Sequence, residues 1–311
     1  MTPRRRDVLL WTATAAATFG QRPAARAEIA ERKTAAEFES RYLDLEDVRL
    51  HYLVAGEGPA IVLLHGWPEI ASAWSGVIGR LAGRFRLIAP DLRGVGGSSV
   101  PTTGYSKERI ASDVAALIER EAGGRAAVVG HDMGGKAAYV LALIQPARVS
   151  KLVLVDCLLP GTENGDALKG GAWHYGFHMA EGFAELLTLG REKDYIAAQI
   201  RAWSHVKNAI PEAEIAAYAR AYARPGRMTA GFGLYRALPE DAAFAGRLKS
   251  RKLAMPVMTV AGGRSAGMAL ARAVEAQAPN HRSVVIEDCG HFVAAEAPDV
   301  FCDALVSFLG V

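Results

Sequence analysis

The amino-acid sequence predicts an α/β fold, a mostly parallel, doubly wound sheet with an inserted helical cap. Three observations carry this. Short, continuous apolar runs end in polar or glycine-rich turns, helix-period segments lie between them, and in one long stretch the apolar runs stop while helical periodicity continues.

Taken in order, Tyr42 to Gly56 (YLDLEDVRLHYLVAG) alternates apolar and polar residues around Glu46-Asp47. That is the pattern of an antiparallel hairpin with one wet face. Residues 60–66, 86–92, 126–132, 151–156, 256–263 and 283–291 are apolar runs without alternation, as expected of strands covered on both faces of a parallel sheet. Residues 72–83, 106–123 and 134–149 read as the helices that cover them. From about Gly161 to Ala243 only helices are predicted, so residues 161–243 are expected to form the cap, with residues 28–160 and 244–311 as the two parts of the core. Such caps cover the carboxyl ends of the strands, where open α/β sheets bind ligands.

The 311 residues are 50% apolar and 22% charged, which excludes a disordered, fibrous or multi-span membrane chain. The formal charge of +3 is concentrated at the start. Residues 1–27 hold Arg4, Arg5, Arg6, Arg22 and Arg26 against Asp7 alone, leaving 31 basic and 32 acidic residues in the rest. A near-neutral remainder with no basic stripe argues against a nucleic-acid partner. The leading segment has a basic head, a moderately apolar stretch and an Ala25-Arg26-Ala27 site, the parts of an export signal. Its Arg5-Arg6 pair follows the twin-arginine pattern. The expected location is periplasmic or secreted, with no stable membrane span after cleavage. Cys157, Cys289 and Cys302 form an odd set of three with no metal or redox spacing, so pairing is left open and no metal or other cofactor is expected.

Gly130-His131-Asp132-Met133-Gly134, between an apolar strand and a helix, is a nucleophile elbow with Asp132 at its tip. His65-Gly66-Trp67-Pro68-Glu69 follows another strand, where the backbone N–H of Trp67 would join that of Met133 as an oxyanion hole. Pro90 to Ser98 is a glycine-rich turn without a Walker lysine, and reads as structural. His291, after the last strand, falls where the general base belongs in the order nucleophile, acid, histidine. The turn at Ala261–Gly267 offers no carboxylate, so Asp156, at the end of the preceding strand, is the candidate partner of His291, with Glu287 and Asp288 as alternatives.

A carboxylate nucleophile suits displacement at saturated carbon and yields an ester of Asp132. Water activated by His291 would then attack that ester while the Trp67 and Met133 N–H groups hold the growing charge.

HGWPE, GHDMGG and CGH together resemble the α/β-hydrolase group that contains epoxide hydrolases and the haloalkane and haloacetate dehalogenases. Trp173-His174-Tyr175 and Gly233 to Leu238 are similar to the cap segments of secreted bacterial epoxide hydrolases of the Cif type. The resemblance implies an α/β-hydrolase fold, an epoxide hydrolase activity, and His174 and Tyr235 as the groups that bind and protonate the epoxide oxygen. It also implies a relay acid at Asp156, where those enzymes use Glu. Spacing alone leaves Tyr235 as a core aromatic and makes His174 and His178 an incomplete metal pair. The expected partners are water and a small neutral epoxide, in a pocket lined by Trp173, Tyr175 and Phe177. The cap surface could support a homodimer.

The second reading is a dehalogenase. Against it, Met133 and Lys136 stand where haloacetate dehalogenases carry arginines, and Met133 offers no halide donor, although the Trp67 ring could substitute in part. The third is a non-catalytic binding protein, which would need none of Asp132, Asp156 and His291.

Overall fold

In the computed structural model eight strands form one sheet. They are β1 (Glu39–Asp44), β2 (Arg49–Ala55), β3 (Ala60–Leu64), β4 (Arg86–Pro90), β5 (Ala126–His131), β6 (Val149–Val155), β7 (Val257–Gly262) and β8 (His281–Ile286). Their spatial order is β1-β2-β4-β3-β5-β6-β7-β8. The β1–β2 and β2–β4 pairings are antiparallel and the other five are parallel. The structure describes residues 38–163, 168 and 172–310, so the export signal expected over residues 1–27 lies outside the described residues.

The lack of alternation in the apolar runs has a direct cause. Along β3, Val62 and Leu64 join one core while Ile61 and Leu63 join another. The first core is closed by α2 (Lys107–Ala122) and α3 (Asp132–Ile144), which contribute Val114, Leu117 and Leu141. The second is closed by α1 (Ser75–Leu81) and α12 (Pro298–Leu309), which contribute Val77, Ile78, Phe301 and Leu305. Both faces of the sheet are therefore covered, and both must be apolar. β5 is buried at every residue, whereas the edge strand β1 alternates. Local signals set the helix ends. Ser106 accepts the Arg109 N–H at the start of α2, and Gly123, at φ 61°, stops it in the left-handed conformation.

Between β6 and β7 lie α4 (Trp173–Met179), α5 (Phe183–Thr188), α6 (Glu192–Trp203), α7 (Glu212–Tyr222), α8 (Arg227–Arg236) and α9 (Leu238–Arg247). Lys107, fully buried at the first position of α2, ties this insertion to the core. Its Nζ donates to Leu234 O (2.7 Å) and to Asp241 Oδ2 (2.9 Å), while its backbone N–H donates to Asp241 Oδ1 (2.7 Å). A buried ion pair of this kind is tolerable because each remaining polar group is hydrogen-bonded. After β7 the chain continues through α10 (Met268–Glu275), β8, α11 (Val293–Glu296) and α12. No helix among the described residues is long and apolar enough to cross a membrane.

β8 ends at Ile286, short of the 283–291 run expected from apolar character. The Glu296 carboxylate accepts hydrogen bonds from the N–H groups of Gly290 (2.8 Å) and Phe292 (3.0 Å), which draws the chain off the sheet. His291 consequently sits on a loop at the carboxyl edge.

Candidate active site

Asp132 opens α3 directly after β5, at φ 48°. A non-glycine residue in this region is strained by about 1–3 kcal/mol, and the surroundings must hold it there. They do so by close packing. A Cβ on Gly134 would lie 2.4 Å from the His65 carbonyl oxygen, and one on Gly130 would lie 2.5 Å from that of Gly134. Only glycine at both positions lets the turn approach its neighbours and raise Asp132 over the edge of the sheet.

The two oxygens of Asp132 have different surroundings. Oδ1 accepts the backbone N–H of Trp67 (2.9 Å), and Oδ2 stands 3.9 Å from His291 Nε2. Met133 follows in the first turn of α3, where N–H groups have no intrahelical acceptor. Burial works to raise the Asp132 carboxyl, but the His291 and His131 rings and the Trp67 N–H outweigh it and hold the group below the usual carboxylate value.

His291 Nδ1 donates to Asp156 Oδ2 (2.7 Å). Asp156, buried and at φ 39°, also accepts the Ser265 hydroxyl on Oδ2 (2.6 Å) and the N–H groups of Gly262 (2.9 Å) and Ala266 (3.2 Å) on Oδ1. The turn after β7, which has no carboxylate of its own, thus supplies three donors to the carboxylate that ends β6. Glu287 and Asp288 are exposed, and Asp288 pairs with Arg264 (3.1 Å) rather than with His291.

Beneath Asp132, both ring nitrogens of His131 face acceptors. Nδ1 donates to Glu69 Oε2 (2.7 Å) and Nε2 to the His291 carbonyl (3.0 Å). Burial opposes the charged ring, but the Glu69 carboxylate overrides it and raises His131 to about 9. His131 is therefore a buried cation that braces both Asp132 and the His291 loop. The loop is fixed from the other side as well, since its N–H donates to Trp203 O (3.0 Å) at the end of α6. The Glu296 carboxylate also takes the N–H groups of His205 (2.9 Å) and Val206 (2.8 Å).

A cavity of about 450 Å³ opens over these groups, with Asp132, His291, His174, Tyr175, Trp203 and Ser265 in its wall. Its size is ordinary for a small-molecule site. His174 is driven down to about 4 by burial, partly countered by Asp132, so it is neutral near pH 7. Tyr235 is almost fully buried, its ring 5.7 Å from that of His174 and 5.4 Å from that of Tyr175. Burial, and then the Asp132 charge, push it well above its ordinary value, so it keeps its proton. Tyr175, not Tyr235, is the tyrosine on the cavity wall.

Two sequence expectations need correction. Trp173 and Phe177 do not line the cavity. They lie four residues apart on one side of α4, 5.9 Å between rings, where Trp173 is 55% exposed and Phe177 packs on Tyr195 and Phe232. His174 and Tyr175 occupy the inward side. The Trp67 indole cannot substitute as a halide donor, because its Nε1 already donates to Gln199 Oε1 (2.7 Å). Gln199 in turn donates to the Tyr195 hydroxyl (2.7 Å), which bonds His178 Nε2 (2.6 Å). Lys136 is likewise occupied. Fully buried, it donates to Leu158 O and Glu163 Oε1, each at 2.5 Å. Cys157, Cys289 and Cys302 are all buried free thiols.

Residues 59–298 match the model of a family described by its alpha/beta hydrolase fold. The chain belongs to the α/β-hydrolase family. This α/β-hydrolase is 34% identical over 276 residues to the soluble epoxide hydrolase of Corynebacterium sp. (strain C12), covering 84% of this chain and 93% of that one. The solved structure of the epoxide hydrolase CorEH without ligand superposes with a TM-score of 0.83 at 32% identity, covering 88% of this chain and 99% of that one. The fluoroacetate dehalogenase of Burkholderia sp. is 38% identical over 126 residues, 39% of this chain and 41% of that one. The hydrolase thus sits in the group that holds both activities.

Trp203, Ser265 and Glu296 went unnoticed at the level of sequence. Trp203 and Ser265 act across a long interval of chain, Glu296 joins the nearby His291 loop to the distant His205 and Val206, and none stands in a recognisable motif. For Ser265 the missing carboxylate of its own turn was a usable signal, because a turn at that edge must offer something to the acid that replaces it.

Proposed function

We propose that this α/β-hydrolase opens an epoxide to a vicinal diol through an ester on Asp132. The observation that carries the reading is the orientation of the Asp132 carboxylate, with Oδ1 held by the Trp67 N–H and Oδ2 facing His291. Oδ2 attacks an epoxide carbon, the C–O bond breaks, and the oxygen takes a proton from a cap tyrosine, Tyr235 by the resemblance of its segment or Tyr175 by its place on the cavity wall, while the neutral His174 ring donates a hydrogen bond to it. His291 Nε2 then removes a proton from water, whose oxygen adds to the ester carbonyl carbon. The resulting negative charge falls on Oδ1, beneath the Trp67 and Met133 N–H groups. Collapse releases the diol, its oxygen protonated by the imidazolium, and the proton left on the Asp132 carboxyl restores the phenol. Each turnover consumes one water.

A dehalogenase is the second reading, supported by the partial match to a fluoroacetate dehalogenase. The committed Trp67 indole and the buried Lys136 weigh against it, since they leave a departing halide or a haloacid carboxylate without those donors. Product analysis with a panel of terminal and cyclic epoxides beside matched haloalkanes and haloacetates distinguishes the two. Diol formation without halide release is expected, and halide release alone would reverse the assignment. Tyr235→Phe and Tyr175→Phe should be assayed together. The former is expected to lower kcat for ring opening by roughly 10²-fold or more, as for loss of a general acid, and the latter by much less. The opposite order would assign the proton to Tyr175.

Ser265→Ala tests how the relay is tuned. The serine shares Asp156 Oδ2 with His291. Removing one donor loosens the carboxylate that orients His291, so ester hydrolysis should slow by roughly 3- to 10-fold, the effect of a hydrogen bond of about 0.5–1.5 kcal/mol, while the rate of ester formation on Asp132 is unchanged. Ser265→Thr should restore the hydrolytic rate. Equal loss in both steps would assign Ser265 to packing only.

A further inference from the structure

We propose that the cavity takes epoxides that carry a carboxylate or similar anionic group, and that Arg264 is the residue that binds it. This rests on the epoxide-opening assignment above and replaces the neutral epoxide expected from sequence with an anionic one. Arg264 belongs to the turn after β7 and contributes to the wall of the same cavity. Its backbone is pinned, with the N–H donating to Cys289 O (3.0 Å) on the turn that leads to His291. Among the described residues of the wall it is the one with a permanent positive charge.

Its present partner does not hold it firmly. The Arg264 side chain is 59% exposed and that of Asp288 is 80% exposed, with a single N–O approach of 3.1 Å. Exposed pairs of this kind contribute little, so the guanidinium is available to a better ligand at small cost. The other charges of the cavity set a direction. Asp132 is an anion at the floor, whereas the Asp156 charge is already met by four donors. His174 is neutral. An anionic substituent is therefore repelled from the nucleophile and attracted to Arg264, while the uncharged epoxide ring of the same molecule is free to approach Asp132. The same wall includes Leu158, Ala172, Ala202, Ala266 and Ala269, apolar surface suited to a short hydrocarbon spacer. A planar guanidinium also matches a carboxylate through paired N–H donors, which an ammonium does not.

The test uses the whole enzyme and a matched pair of probes, 5,6-epoxyhexanoate and 5,6-epoxyhexanamide, which carry the epoxide and the end group on a short hydrocarbon chain and differ in charge at nearly constant shape. In the wild type, kcat/KM should favour the acid by about 10-fold. Arg264→Gln should lower the acid-to-amide ratio by roughly 10- to 100-fold, as expected for loss of a hydrogen-bonded charge partner, with the change in KM. Arg264→Lys should recover part of it. Asp288→Asn, which removes the competing carboxylate, should raise the ratio, and added salt should lower it. A wild-type ratio at or below one, or a ratio unmoved by Arg264→Gln, overturns the proposal. Neutral epoxides turned over with the acid refused would overturn it alone, whereas turnover of neither probe nor any other epoxide would remove it together with the hydrolase assignment.

Discussion

His291→Gln is expected to stall after the first chemical step, leaving a covalent adduct on Asp132. Ring opening needs only the Oδ2 lone pair and a proton for the departing oxygen, and neither comes from His291. Hydrolysis of the ester needs a base, and His291 Nε2 stands 3.9 Å from Oδ2. Glutamine keeps a polar group of similar reach but cannot accept the proton from water. Incubated with a reactive epoxide, the variant should gain one substrate mass, and the labelled peptide should contain Asp132. Steady-state turnover should fall by roughly 10²- to 10⁴-fold, the usual contribution of a positioned base. An unmodified protein with near-normal turnover, or a label on another residue, is incompatible with the assignment.

Asp156→Asn is expected to cost roughly 10³- to 10⁴-fold in turnover through the tautomer of His291. The argument follows from the four donors around the carboxylate. Gly262 and Ala266 N–H groups point at Oδ1, and the Ser265 hydroxyl and His291 Nδ1 point at Oδ2. An asparagine whose carbonyl takes the Oδ1 place must present its NH₂ where Oδ2 stood. The imidazole then turns Nδ1 into an acceptor and carries its proton on Nε2, the atom that has to be empty to receive one from water. The first, alkylating step should survive, so the variant should also accumulate ester, more slowly cleared than in the wild type. Turnover within tenfold of the wild type would show that His291 is oriented by something else.

Much of the fold and the centre of the site were legible because they depend on neighbours in sequence. The apolar runs of β3 to β7 are unbroken because helices cover both faces. The elbow at Gly130 to Gly134 is a local turn that demands glycine at its ends. Asp156 could be reasoned from chain order and the empty turn after β7, but its reach to His291 could not. The strands β6 and β7 are adjacent although the whole helical insertion separates them in sequence. Their adjacency brings Ser265 and two N–H groups to one carboxylate. Side-chain direction was the least legible feature. Residues 173–178 are aromatic or histidine at all but one position, so composition could not tell which side of α4 faces the cavity.

By itself the sequence determined the order of the elements, the place of Asp132 at a glycine-flanked turn between a strand and a helix, and the place of His291 after the last strand. These are properties of periodicity and short motifs, which act over a few residues. The tertiary structure alone decided that the Trp67 indole is committed to Gln199, that Lys136 is buried against Glu163, that Tyr175 rather than Trp173 or Phe177 meets the cavity, and that Arg264 stands at its wall. Each depends on which of a group's neighbours, distant in the chain, claims its hydrogen bonds or its charge, and that competition is settled only when the sheet and the helical insertion are packed together.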